Sequence, residues 1–209
     1  MNTDEKLEAL KKLKKEMEAD RRLPLRTRDT RLVFGEGDPD AKIYMLGEGP
    51  GFHENLLGRP FVGQAGKLLD KLIESIAYER KKVYISNVVR FRPPENRDPL
   101  PEEIAAFQPY VDREIEIINP KIIVTLGRFS MGKFFPGEKI SNMHGKAREI
   151  VWNVMRITVV PMYHPAAALR AGNIMRAIKE DFQVIPKVLK EILEAEEEER
   201  KRVEQTSLF

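Results

Sequence analysis

Ile43-Tyr44-Met45-Leu46-Gly47-Glu48-Gly49-Pro50-Gly51 is a four-residue apolar run that breaks into glycine and proline. A short continuous apolar run closed by glycines is the pattern of a strand buried on both faces in a parallel sheet. C-terminal to it, Leu68, Leu69, Leu72, Ile73 and Ile76 mark one face of a helix, and Val83-Tyr84-Ile85-Ser86-Asn87-Val88-Val89 reads as a second strand. Strand, helix and strand in that order make a βαβ unit.

The alternation continues along the chain. Ile122-Ile123-Val124-Thr125-Leu126 is a third strand after Asn119-Pro120, and Gly127 turns the chain into a short helix. Lys146 to Val154 reads as a further strand or hairpin arm, and Arg156 to Met162 as a fourth buried strand ending at Tyr163-His164-Pro165. A helix is expected from near Pro101 to Ile118, with Glu102 and Glu103 suited to the positive end of its dipole. The four prolines between Arg92 and Pro101 rule out a central strand there and predict an ordered surface loop. At the N-terminus, Leu7, Leu10, Leu13 and Met17 have the spacing of an amphipathic helix, and Asp20 to Asp40 is polar and irregular. A last helix, roughly Ile174 to Val203, should be kinked or restarted by Pro186. The expected fold is a three-layer α/β/α sandwich on a central, mostly parallel four-stranded sheet. Residues 1–195 would form one domain, and residues 196–209 a charged tail.

Composition bounds the chemistry. The 209 residues contain no cysteine, which excludes disulfides, Cys-ligated zinc and thiolate-bound iron–sulfur clusters. His53, His144 and His164 are too dispersed to read as a metal motif, so neither metal nor cofactor is expected. No run of eighteen apolar residues exists and the N-terminus lacks a secretory pattern, so a cytoplasmic protein with no membrane partner is expected. From Lys190 onward, seven Glu face four Lys or Arg, so the net +3 of the chain is carried by the first 189 residues as +6. A basic body is compatible with binding phosphate backbones.

Ligands of open α/β sheets sit outside the carboxyl ends of the strands. Three strand ends here carry polar residues: Glu48, Asn87 and His164. Singly, each also fits an ordinary part in a glycine turn, a helix cap or a His-Pro turn. Together they are candidates for one pocket.

The longer segments around them are similar to the family 4 uracil-DNA glycosylases. The resemblance rests on Val33-Phe34-Gly35-Glu36-Gly37, Gly47 to Gly51, Gly58-Arg59-Pro60-Phe61-Val62-Gly63-Gln64-Ala65-Gly66, Tyr84 to Val89, Arg92 to Arg97, Pro120 to Gly127 and His164-Pro165-Ala166. Order and spacing agree from about Asp20 to Arg170. The resemblance implies a monofunctional hydrolase that flips uracil out of DNA and cuts its N-glycosidic bond, leaving an abasic site. In it Phe61 would stack on the base, Asn87 would read the N3–H and O4 edge, and Gly47 and Gly49 would complete the uracil pocket. His164 would donate to the O2 anion. Glu48 and Glu54 are the two carboxylates that could hold the water, and Asn55 stands where the family often has Asp. Gly51, Arg97, Leu169 and Arg170 would contact DNA, Leu169 and Arg170 as a minor-groove wedge. Alternatives are a glycosylase for another deaminated base and a non-catalytic reader of uracil-containing DNA. No Lys-Arg-Arg-Ile-His insertion of the covalently trapping relatives is present.

The family usually carries an iron–sulfur cluster, and its four cysteines would fall at Asp20, Leu23, Phe91 and Phe107. Three of these are apolar, which predicts a small hydrophobic core in the cluster's place. The end of the chain, Gln205-Thr206-Ser207-Leu208-Phe209, is similar to peptides that dock on bacterial sliding clamps through residues matching Gln205, Leu208 and Phe209. A sliding clamp and uracil-containing DNA are thus the expected partners of a protein expected to act as a monomer.

Overall fold

The computed structural model describes residues 1–206. Six strands, β1 (Glu36–Gly37), β2 (Ile43–Gly47), β3 (Tyr84–Asn87), β4 (Ile122–Leu126), β5 (Arg148–Trp152) and β6 (Met155–Met162), form one sheet in the order β1-β3-β2-β4-β6-β5. The four central strands are parallel, with Gly47 opposite Asn87 and Leu46 opposite Thr125. The expected count of four is corrected to six, because β1 and β5 add antiparallel edges. Two-residue β1 is too short to leave a pattern. β5 is the strand or hairpin arm expected over Lys146 to Val154; largely exposed, it pairs antiparallel with β6 and so joins the sheet as an edge outside the four central strands.

Side chains alternate across this sheet into two cores. Ile43, Met45, Ile85, Val124 and Met162 face one side, where α3 (Gln64–Ser75), α8 (Gly172–Phe182) and α9 (Val184–Thr206) pack. Tyr44, Leu46, Tyr84, Ile123 and Val159 face the other, covered by α1 (Thr3–Ala19) and α4 (Pro101–Ile118). Leu10, Leu13 and Met17 of α1 are buried as expected, but Leu7 is exposed. Asn119 ends α4 in the left-handed conformation, φ 51°. Two short helices, α5 (Arg128–Gly132) and α6 (Ile140–Met143), lie between β4 and β5, and α7 (Pro165–Ala168) follows β6.

The C-terminal helix is two helices, broken at Gln183 rather than at Pro186. A helical proline clashes with the carbonyl four residues back, here Phe182, so α8 stops there and Pro186 falls in the first turn of α9. A six-residue helix, α2 (Phe52–Leu57), sits inside the segment read only as a glycine–proline loop. Among the described residues, no helix is long and apolar enough to cross a membrane.

The positions of the four family cysteines do not fit an iron–sulfur cluster. Leu23, Phe91 and Phe107 are buried in the same core as α1, and the two Phe rings lie 6.1 Å apart. Asp20 accepts from Tyr110 at 2.9 Å and is held by Arg22. Hydrocarbon packing joins the N-terminal segment, the proline loop and α4 at this place.

Candidate active site

β2 and β3 end side by side, and their pairing runs past the strands: Val88 and Val89 donate to the carbonyls of Gly47 and Glu48 at 3.0 and 3.1 Å. Asn87 therefore leaves the sheet beside Gly47 and Glu48. His164 follows β6 and caps α7. Glu48, Asn87, His164 and Phe61 close one end of the sheet around a cavity of about 550 Å³, lined also by Gly49, Gly51 and Glu54, with Gly47 behind its wall.

Asn87 is 1% exposed, and its Oδ1 has no hydrogen-bond partner among the described residues. A buried amide oxygen left unpaired costs about 1–3 kcal/mol unless a ligand satisfies it. Gly47 is the residue that makes room for it. A Cβ there would run into Asn87 Oδ1 and lie 2.5 Å from the Phe61 ring.

Phe61 stacks against His164, with centroids 5.7 Å apart and planes 27° from parallel. Its backbone is left-handed, φ 51°, a conformation that costs a bulky residue energy unless its surroundings hold it. Arg80 supplies the hold by donating to the carbonyls of Pro60 at 2.6 Å and Phe61 at 3.0 Å, while it pairs with Glu36 and Asp70 at 2.8 Å each. On the other side, Gly66 packs its bare Cα against the Phe61 carbonyl.

The His164 Nδ1 accepts the backbone N–H of Ala166 at 3.1 Å, so the ring proton sits on Nε2. Burial pushes the imidazole down to about 4, with Glu54 opposing and Arg170 reinforcing the shift. The ring is a neutral donor at physiological pH. Glu48 behaves in the opposite sense: burial raises its carboxyl to about 7, against the Phe129 N–H that donates to Oε1 at 3.3 Å.

Glu54 is tied differently. Its Oε1 accepts from Val62 and Gly63 at 2.8 Å each, and its Oε2 accepts from Gly51 at 3.2 Å. It pins both ends of the loop that carries Phe61. Asn55 faces away from the cavity, accepting the Arg31 N–H at 2.8 Å and donating to the Asp29 carbonyl at 2.9 Å.

Arg97 lines the cavity but is bound bidentately to Glu103 at 2.6 and 2.9 Å, bracing the proline loop. Arg170 lines it too. Leu169 lies outside, exposed beside a hollow it shares with Gln64 and Met175. Gln205 is at the exposed end of α9; Leu208 and Phe209 lie outside the described residues.

Two participants escape a reading of the sequence. Gly127 has φ 102°, and a Cβ on it would collide with Glu48 Oε1 and come within 3.1 Å of the His164 Cβ. Its place at the end of β4 is the signal that could have found it. Arg80 carries no such signal, because its partners, two carbonyls and two carboxylates, are distant in sequence.

The uracil DNA glycosylase superfamily model matches residues 34–185. The chain is similar to the type-4 uracil-DNA glycosylase of Sulfurisphaera tokodaii, 46% identical over 185 residues that cover 86% of this chain and 84% of the relative. It is 43% identical over 162 residues to that of Thermotoga maritima, covering 77% and 84%. To that of Archaeoglobus fulgidus it is 39% identical over 184 residues, covering 86% and 92%.

Proposed function

The chain belongs to the uracil-DNA glycosylase superfamily, on its type-4 branch, and from that membership we propose how its pocket excises uracil. The protein is a hydrolase of base-excision repair that releases uracil from DNA. The observation that carries the assignment of roles is the unpartnered Asn87 Oδ1, buried between Gly47 and Phe61.

A base inside a duplex is unreachable, so the nucleotide is flipped into the cavity at a cost of a few kcal/mol. Uracil stacks on Phe61. Asn87 Oδ1 accepts its N3–H and the amide N–H₂ donates to O4. Cytosine presents the reversed pattern and leaves the buried amide mispaired, the arrangement that gives strong discrimination.

As the N1–C1′ bond breaks, its electron pair goes to the base and spreads onto O2, while the sugar becomes oxocarbenium-like. The His164 Nε2–H donates to O2. An aimed neutral donor of this kind is worth roughly 2.7–4 kcal/mol in the transition state. The water oxygen bonds to C1′ and its proton passes to Glu48. Glu48 suits that part better than Glu54, whose two oxygens already accept three backbone N–H groups. Glu54 instead positions Phe61 and the Gly51 turn. Arg170 at the rim holds a phosphate and Leu169 enters the minor groove, while Arg97, paired with Glu103, meets the DNA through the proline loop that it braces.

We also assign residues 196–209 as a tail that docks on a sliding clamp through Gln205, Leu208 and Phe209, with the catalytic body acting as a monomer. The support is the peptide pattern and the exposed position of Gln205.

Alkaline cleavage of a labelled oligonucleotide bearing one U tests the pocket. Wild type should nick it, and Asn87→Ala and His164→Ala should each lower single-turnover release by about 10²-fold or more. Undiminished release by Asn87→Ala would refute the assigned base reading.

A further inference from the structure

α2 runs from the cavity to a second hollow that this mechanism does not use. Gly51 and Glu54, at its start, line the cavity; Leu57 and Gly58, at its end, line that hollow, of about 950 Å³. The helix is only roughly 9 Å long. Its outward face is apolar: Phe52, Leu56 and Leu57 are 56%, 60% and 55% exposed. Arg92 lies over the Phe52 ring at 5.3 Å.

The second hollow is basic. Lys14, Arg21, Arg26, Arg28 and Arg31 line it against the single carboxylate of Glu18, which lies 4.0 Å from Lys14. No ion pair is made by Arg21, Arg26, Arg28 or Arg31 among the described residues, whereas Arg59, Arg80, Arg90, Arg97, Arg113 and Arg128 all pair with carboxylates. Two of the four are nevertheless fixed. Arg26 donates to the Glu18 carbonyl at 2.7 Å, and Arg31 to the Leu56 carbonyl at 3.1 Å. Carbonyls orient a guanidinium without neutralising it. Asn55 clips the 29–31 segment to α2, so the apolar helix face and the arginines form one wall.

We propose that this wall is a track for an unpaired DNA strand, which carries the segment flanking the flipped uracil from the pocket mouth across α2 into the arginine hollow. The track rests on the uracil-excision reading of the pocket. Exposed aromatic and aliphatic side chains interleaved with guanidinium groups are what a single strand requires, bases against the apolar face and phosphates on the cations. A duplex, with its bases paired and stacked inside, would leave Phe52, Leu56 and Leu57 facing water.

Binding of a uracil-free single-stranded 20-mer, followed by fluorescence anisotropy over a range of salt, tests the track with the full chain. Each phosphate contact contributes about −0.7 to the slope of log K against log salt on a single strand. Arg21→Gln/Arg28→Gln should therefore make the slope shallower by about 1.4 and weaken binding several-fold. Phe52→Ala should weaken binding and leave the slope unchanged. Arg148→Gln/Arg156→Gln, removing the same charge from the β5–β6 hairpin, should do neither. Wild-type slope and affinity in the Arg21/Arg28 variant would overturn the track, as would a loss seen only with duplex DNA. Uracil release, measured on the same preparations, is independent of that result: its absence in wild type would count against the pocket reading and not against the track.

Discussion

The guanidinium of Arg80 and the carbonyl of Phe61 meet at 3.0 Å, nineteen residues apart, and that contact holds an aromatic residue in a left-handed backbone conformation. The stacking face of the pocket thus depends on an ion-pair cluster outside it, with Glu36 and Asp70 orienting Arg80.

Arg80→Ala should lower kcat/KM for uracil release by roughly tenfold to a hundredfold, since each lost charge-assisted hydrogen bond is worth about 1.5–3 kcal/mol. Arg80→Lys should recover only part, because an ammonium cannot reach two carbonyls and two carboxylates in one plane. Single-turnover kinetics at saturating and subsaturating DNA would read the split. Equal activity of Arg80→Ala and wild type would remove Arg80 from the site.

Gly47→Ala adds one methyl group, and it lands between Asn87 and Phe61. Uracil release should fall by at least tenfold while the melting temperature moves by only a few degrees, about what ~1 kcal/mol does in a domain of this size. Gly127→Ala should behave similarly through Glu48 and His164, with added strain from its φ of 102°.

The Glu48 carboxyl, raised to about 7, is the base only when ionised. kcat/KM should rise with pH through about 7, and Glu48→Gln should abolish that limb together with most of the activity. The linkage to stability has the opposite sign. A folded-state value above the unfolded 4.5 gives a contribution that is fully present below 4.5 and is lost as pH rises through about 7. Glu48→Gln should therefore be more stable than wild type above pH 7, by something on the order of 3 kcal/mol, and this is checked by urea denaturation at pH 5 and pH 8. His164, depressed to about 4, works the other way: its contribution is present above 6.5 and lost as pH falls through about 4.

Phe107→Ala should destabilise the protein by roughly 3–5 kcal/mol, because this α4 side chain is wholly buried in the core it shares with α1 and Phe91. Chelators should change neither the melting temperature nor uracil release. A drop in either on chelation would contradict a hydrocarbon core at this place.

Much of this molecule is legible in its residues. β4 coincides with the expected Ile122–Leu126 because a β-branched, mostly apolar run is bracketed by Pro120 and Gly127, and α4 runs from Pro101 to Ile118 because proline starts it and Asn119 ends it. β5 falls inside the expected strand or hairpin arm of Lys146 to Val154, whereas β1, two residues long, leaves no pattern to read. The strand-end rule picked out Glu48, Asn87 and His164, and the fold brings them to one cavity with Phe61.

By itself, the sequence determined the βαβ alternation, the absence of any thiolate ligand, and the set of polar groups at the strand ends, since these follow from local periodicity and residue inventory. Only the tertiary structure decided what those groups can do. It spent the Glu54 carboxylate on three backbone N–H groups, left Asn87 Oδ1 unpaired, put the His164 proton on Nε2 and drove Glu48 toward neutrality. Burial and hydrogen-bond partners set those properties, and both come from residues far apart in the chain.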